Sequence, residues 1–290
     1  MLENDSQHRP NAHRFEAPPQ VIEAAVRRLK ARGHVAPDAT YNPDAPDGLR
    51  REVAYHDGDF QWSLGHSAPE HEVAIVESAV SLLAAHGLGS HDFVTDEARF
   101  QTFRSSVRQN FTGGWTSFTP VMERLYYTLT AIRQPARMVE LGCFWGNTLA
   151  WFAGPAIGRD KLYAAESIVG VDIDAVMINT AVENFHKIGA QEDVTLVAAD
   201  AREIAADMDG PIDFLYLEAK EDDAPPIYLE LLQAVYDELP EGAWVIAHDI
   251  YDKDVISELK PYTDWVRDPA HFRMSFAFDV DHCGAELSVK

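Results

Sequence analysis

Between residues 137 and 250, short apolar runs rich in β-branched and aromatic residues alternate with stretches of helical spacing, and this alternation constrains the fold more than any other feature of the chain. The runs are RMVELG at 137–142, SIVGVDI at 167–173, VTLVAAD at 194–200, DFLYLEA at 213–219 and AWVIAHDI at 243–250. Helical stretches fall between them at 147–153, 174–188, 201–208 and 227–239. Parallel strands cannot be joined by a tight turn and need a crossover, so strand and helix in regular alternation predict βαβ units with right-handed connections. The chain ends differently. RMSFAFDVDHCGAELSVK at 273–290 offers two alternating strands around a short turn, and such a hairpin has to finish the sheet with an antiparallel strand.

The first hundred residues lack this rhythm. QVIEAAVRRLKAR at 20–32 has helical spacing closed by Gly33, LRREVAYHDGDFQWSLG at 49–65 alternates around Asp57-Gly58 as a short hairpin, and PEHEVAIVESAVSLLAAH at 69–86 predicts an amphipathic helix. Neither a repeat nor a low-complexity tract occurs there. The expected division is an accessory or lid-like module over 1–105, followed by an α/β domain over 106–290.

Against 24 Lys+Arg stand 47 Asp+Glu, a formal charge of −23 that repels phosphate backbones and anionic lipid surfaces. The expected partner is therefore a small-molecule substrate, with neither nucleic acid nor membrane involved and with a homodimer left open. Two cysteines are too few for a disulfide scaffold and too widely spaced for a metal knuckle. No run of eighteen apolar residues occurs and the first residues lack a signal-like apolar stretch, so a reduced, cytoplasmic setting is expected.

In an open parallel sheet, ligands bind beyond the carboxyl ends of the strands. The candidates are then the segment from Glu140 to Gly146, Asp172, Asp200, Glu218 with Lys220, and His248 with Asp249. Acidic side chains recur at these turns and no arginine does, which suits a cationic or hydroxyl-rich ligand better than a pyrophosphate. The first turn, ELGCFWG, spaces its glycines as Gly142-x-x-x-Gly146, away from the dinucleotide fingerprint, and taken alone it could be a tight strand-to-helix turn. A carboxylate at Asp172 can accept both hydroxyls of a ribose; it could also cap the next helix, although Asp174 is better placed for that.

Glu140-x-Gly142-x-x-x-Gly146, then Asp172 and the AAD ending in Asp200, then the closing hairpin, resemble over residues 118–290 the class I S-adenosylmethionine-dependent methyltransferases. The resemblance implies a Rossmann-like, seven-stranded, mostly parallel sheet of order 3-2-1-4-5-7-6, its seventh strand antiparallel, with helices on both faces. It implies that Glu140 and the backbone at Gly142 hold the methionine end of the cofactor, beside Cys143, Phe144, Trp145 and Gly146. Asp172 would hold the ribose next to Ile173, Asp200 the adenine amino group, and Ala201 would add a backbone contact. A sulfonium and an ammonium prefer carboxylates and aromatic faces, and Glu140, Glu218, Phe144 and Trp145 offer both.

Within that family, DFLYLEAKEDD and LPEGAWVIAHDIY resemble the fourth and fifth strands of the small-molecule O-methyltransferases. Their metal-dependent branch places a divalent ion at positions matching Glu218, His248 and Asp249, where the histidine tilts the site toward a softer metal or disables it. Lys220 stands one residue before the place where that branch keeps a general base, so the catalytic candidates are Glu218, Lys220 and His248. The acceptor side is expected in RQNFTGGWTSFTP, where Trp115, Thr116 and Ser117, with Tyr126 beyond, would touch substrate or the methionine tail; Tyr126 on a helix also reads as core. The expected activity is methyl transfer to oxygen of a small molecule in a biosynthetic pathway. The alternative is a cyclase that turns S-adenosylmethionine on itself, giving azetidine-2-carboxylate and methylthioadenosine.

Overall fold

The computed structural model describes residues 12–15, 69–112, 119–220, 225–252, 255–278 and 283–290. The helix expected at 20–32 and the hairpin at 49–65 lie outside them. Among the described residues eight strands form one sheet: β1 (Ala12–Phe15), β2 (Arg137–Leu141), β3 (Ser167–Asp172), β4 (Thr195–Ala198), β5 (Phe214–Leu217), β6 (Trp244–His248), β7 (Met274–Phe278) and β8 (Ala285–Val289). Their order is β4-β3-β2-β5-β6-β8-β7-β1. Counted from β2 as the first, this is 3-2-1-4-5-7-6, as the resemblance implies. Strand β8 runs antiparallel to both neighbours, with Leu287 opposite Ile246 on one side and Phe276 on the other. Beyond β7 the sheet gains a strand that the apolar pattern does not announce, since Ala12–Phe15 pairs in parallel with it, Ala12 opposite Ser275.

Alternation along the central strands sends residues to two cores. Met138, Phe214, Tyr216 and Ile246 join the first, whereas Val139, Leu141, Leu215, Leu217 and Val245 join the second. Because both faces are covered, β5 and β6 are buried along their whole length and read as unbroken apolar runs.

The first core is closed by helices α1 (Pro69–Ala85), α2 (Glu97–Asn110), α3 (Pro120–Arg133), α4 (Asn147–Ala153) and α5 (Ala175–Lys187). The second is closed by α6 (Ala201–Asp207), α7 (Tyr228–Val235) and α8 (Ile256–Val266). Side-chain caps start several of them: Asp96 accepts from the Arg99 amide at 3.1 Å, Thr119 from Met122 at 2.9 Å and Asp174 from Val176 at 2.7 Å. The expected boundary after residue 105 falls inside α2, and Val76 and Leu83 of α1 share the first core with Met138 and Phe276 of the sheet.

Helices α1, α2 and α3 are also joined by charge. Arg104 donates to both oxygens of Glu72, at 3.1 and 2.7 Å, and Arg124 bonds the same carboxylate as well as both oxygens of Glu97, at 2.5 and 2.9 Å. The Phe100 ring has a guanidinium from each arginine 4.4 Å from its centroid. Both cysteines are buried and neither is in a disulfide among the described residues. Among the described residues no helix is long and apolar enough to cross a membrane.

Candidate functional site

The turn from β2 into α4 crosses the carboxyl end of β5 at very close range. Gly142 has φ 94°, and a Cβ there would lie 2.7 Å from backbone atoms of Glu218 and Ala219, so glycine is required on both grounds. Phe144 follows at φ 46°, a left-handed conformation uncommon for a bulky side chain. Asp172 holds it there: its Oδ2 accepts the Phe144 amide at 2.8 Å, and its Oδ1 accepts the Asp174 amide at 2.9 Å. Asp174, not Asp172, caps α5. At the end of the turn Gly146, φ 77°, has no room for a Cβ, which would meet the Phe185 ring at 2.8 Å. Between the glycines the half-buried rings of Phe144 and Trp145 stack with centroids 4.6 Å apart.

Glu140, the fourth residue of β2, lies just below this turn at 1% exposure, and neither of its oxygens has a hydrogen-bond partner among the described residues. Burial first, then the negative charges of Glu218 and Asp172, push its carboxyl well above the ordinary range. The Cys143 thiol is buried too, and a Cβ at Gly170 would sit 3.1 Å from its sulfur. Its side chain therefore packs on the sheet, which leaves only its backbone for a ligand. Two apolar side chains stand in solvent beside Asp172, Ile173 at 59% and Val176 at 65% exposure. Asp200 caps α6 through the Arg202 amide at 2.8 Å, and Ala201 is the first, buried residue of that helix.

Across the mouth, Glu218 is fixed from three elements. Its Oε2 accepts from the Tyr216 hydroxyl at 2.7 Å and from Thr148 at 3.4 Å, and its Oε1 lies 3.2 Å from His248 Nδ1. The same nitrogen is 3.2 Å from Oδ1 of Asp249, a residue held at φ 63°. Ligand atoms of Glu218, His248 and Asp249 all lie within 4.8 Å of one another, the spacing a metal ion would need. Asp249, Asp252 and Cys283 make a second such group, in which the thiol donates to Asp252 at 3.4 Å.

The structure thus gathers Glu140, the Gly142–Gly146 turn, Asp172, Glu218, His248 and Asp249 at one end of the sheet. Lys220 is exposed at the edge of the described residues, and Trp115, Thr116 and Ser117 lie outside them. Tyr126 is fully buried, stacked on Phe152 at 4.3 Å and edge-on to Tyr216 at 6.0 Å, so it belongs to the core instead of a substrate surface. Tyr216 and Thr148, whose hydroxyls meet Glu218, are not among the residues that the sequence pattern points to. A signal existed for the first, because residues two apart on a strand share a face.

Residues 139–250 match the model of a protein family described as a methyltransferase domain. No curated protein matches the chain in sequence. Among solved structures, a candidate O-methyltransferase from Klebsiella pneumoniae aligns at 14% identity and TM-score 0.53, covering 72% of this chain and 93% of its own. The cofactor-bound protein Rv0187 from MTB aligns at 14% identity and TM-score 0.52, over 68% of this chain and 92% of its own. The Podospora anserina methyltransferase PaMTH1, bound to SAH, aligns at 19% identity and TM-score 0.50, over 74% of this chain and 96% of its own. Residues 139–250 are thus similar to a methyltransferase domain, and the chain shares its fold with these solved methyltransferase structures.

Proposed function

We propose that the protein transfers the methyl group of S-adenosylmethionine to a hydroxyl oxygen of a small molecule in a biosynthetic pathway. The observation that carries this reading is Glu140: a carboxylate at 1% exposure with no partner on either oxygen among the described residues, under a turn whose glycines let its backbone pass at close range. An uncompensated buried carboxylate is costly, and an ammonium group arriving beside it removes that cost. Among the described residues Asp172 accepts one backbone amide on each oxygen, so each retains a lone pair for a ribose hydroxyl. Ile173 and Val176 offer an apolar face to a flat base, with Asp200 and Ala201 at its edge. Phe144 and Trp145 present aromatic surface to a sulfonium.

S-adenosylmethionine supplies a methyl carbon activated by the adjoining sulfonium, which leaves the protein to orient the acceptor and take its proton. His248 suits the second task better than exposed Lys220. With Nδ1–H directed at Glu218, the imidazole carries its lone pair on the other ring nitrogen, and Glu218 stabilises the imidazolium once the proton arrives. A divalent ion held by Glu218, His248 and Asp249 is the second reading, favoured by the 4.8 Å cluster of their ligand atoms.

Incubation with S-adenosylmethionine and a panel of small phenols and hydroxy acids, followed by product analysis, tests the proposal. S-adenosylhomocysteine formed only with an acceptor supports methyl transfer. Methylthioadenosine formed without any acceptor would overturn it in favour of cyclisation. Repeating the reaction after chelator treatment decides the second reading: loss of turnover restored by a divalent ion places a metal in the cluster, and unchanged turnover leaves the proton to His248.

A further inference from the structure

The glycine turn is built without a capping side chain of its own, since α4 opens on Gly146 with no side-chain hydrogen bond. Beyond the turn's own bond from the Gly146 amide to the Cys143 carbonyl at 2.7 Å, side chains from outside hold its shape. One hold is the Asp172 bond to the Phe144 amide described above. The other comes from Asn184 on α5, a residue with no exposed surface whose amide is used in every direction. Its Nδ2 donates to the carbonyl of Trp145 at 3.1 Å and to that of Thr112 at 3.0 Å. Its Oδ1 accepts the amide of Thr112 at 2.8 Å and the Thr112 hydroxyl at 3.0 Å. Only this orientation works, because the flipped amide would set its oxygen against two carbonyls. Neighbouring residues press on the same turn: a Cβ at Gly146 would meet Phe185 at 2.8 Å and Ala181 at 3.3 Å, and Phe185 in turn packs edge-on against Phe111 at 5.5 Å.

We propose that Asn184 is a positioning residue: by holding the Trp145 carbonyl and Thr112 together, it sets the Phe144–Trp145 ring pair in the cofactor pocket. The inference rests on the reading of the Gly142–Gly146 turn as a cofactor wall. A residue serving only as a tie for the chain beyond α2 would need its bonds to Thr112 and nothing more. The bond to Trp145 reaches the turn itself, at the residue after the one Asp172 holds. With its amide and its carbonyl side anchored on different elements, the turn has little freedom to rotate its two rings.

The test is calorimetric binding of S-adenosylhomocysteine to the full chain and to single and double variants, with the melting temperature measured alongside. Asn184→Ala should weaken binding about tenfold, since it frees a turn held by a buried hydrogen bond. Ile178→Ala, a core truncation on the same helix, should lower the melting temperature and leave affinity within about twofold. In a Trp145→Ala background the Asn184→Ala change should cost clearly less than it does alone, because the ring of the residue whose carbonyl it holds is gone and only Phe144 is left to position. Equal losses in both backgrounds, or an Asn184→Ala affinity equal to that of the unmodified protein, would overturn the proposal. Asp172→Ala separates that failure from failure of the pocket reading: if it weakens binding while Asn184→Ala does not, the pocket stands and the positioning role falls, and if neither weakens binding both fall. Should Asn184→Ala not fold, Asn184→Ser takes its place under the same criteria, with an expected loss of about fivefold because one hydroxyl donor remains.

Discussion

Glu72 in the helical layer and Glu140 at the mouth of the sheet are buried almost equally, at 3% and 1% exposure, yet their surroundings are opposites. Glu72 meets two guanidiniums, Arg104 and Arg124, and its charge is spent in joining α1 to α2 and α3. Glu140 meets two further carboxylates, Asp172 and Glu218, which raise its proton affinity beyond what burial already does. Burial of charge in itself therefore says little about purpose. A buried carboxylate answered by arginine is framework, and one facing other acids is the kind of group a cationic ligand would suit.

The difference extends to pH. Burial pushes the Glu97 carboxyl up, but hydrogen bonds and charge from Arg124, helped by Gln101 and Arg104, more than reverse this and hold it below its ordinary value. Its contribution to stability is present above the ordinary carboxylate range and is lost as pH falls through the lowered value. Glu140 behaves conversely. Raised in the folded state, it binds more protons folded than unfolded, so stability declines as pH rises from the ordinary carboxylate range toward the raised value.

The largest effect should come from breaking the framework. Arg124→Met leaves Glu72 with one guanidinium and Glu97 with none, and removal of one partner from a buried pair costs about 3–5 kcal/mol. Urea denaturation should show that loss, while affinity for S-adenosylhomocysteine in the folded fraction stays unchanged. A loss below about 1 kcal/mol would mean that this network is no more than a surface-grade pairing.

That network also marks where the sequence stops being readable. Strands β2, β5 and β6 follow directly from apolar runs, because central parallel strands are covered on both faces and have no polar side to blur the pattern. Helix α2, EARFQTFRSSVRQN, escapes the same reading because its buried face is Phe100, Arg104 and Val107, so a guanidinium occupies a position that periodicity assigns to solvent. Four residues, AHRF, are too few and too polar to announce β1, which is placed by the open edge of β7. At the site, Glu140, Asp172 and the glycines are legible from their spacing. The Tyr216 and Thr148 hydroxyls on Glu218 and the amide of Asn184 behind Trp145 depend on which elements become neighbours, and local pattern carries no record of that.

The second prediction reverses the sign of the first. Glu140→Gln removes a carboxyl that costs stability once ionised, so without ligand the variant should be more stable than the unmodified protein by about 1 kcal/mol at pH 8 and closer to it at pH 5. Affinity for S-adenosylhomocysteine should nonetheless fall about tenfold, as an ammonium loses its charged partner. Denaturation at both pH values and calorimetry would read the two effects separately. A variant destabilised at pH 8, with unchanged affinity, would place Glu140 with the framework carboxylates and dissolve the contrast between the two regions.

The smallest effect belongs to the rim of the framework. Arg108 bonds Glu123 at 3.0 and 2.6 Å, but its side chain is 34% exposed and Glu123 keeps an ion pair with Arg104 Nε at 2.8 Å. Arg108→Ala should therefore cost only about 0.5–1 kcal/mol, since water and salt screen the lost pair and the carboxylate is not left alone. Ionic strength provides the sharper reading. At 1 M salt the screening length is about 3 Å, so the difference between Arg108→Ala and the unmodified protein should shrink, while most of the Arg124→Met difference, set by the buried Arg124–Glu72 pair, should persist. If both differences shrank together, the two arginines would share one solvent-screened environment, and the helical layer would owe its stability to its apolar contacts instead of to the charges that join them.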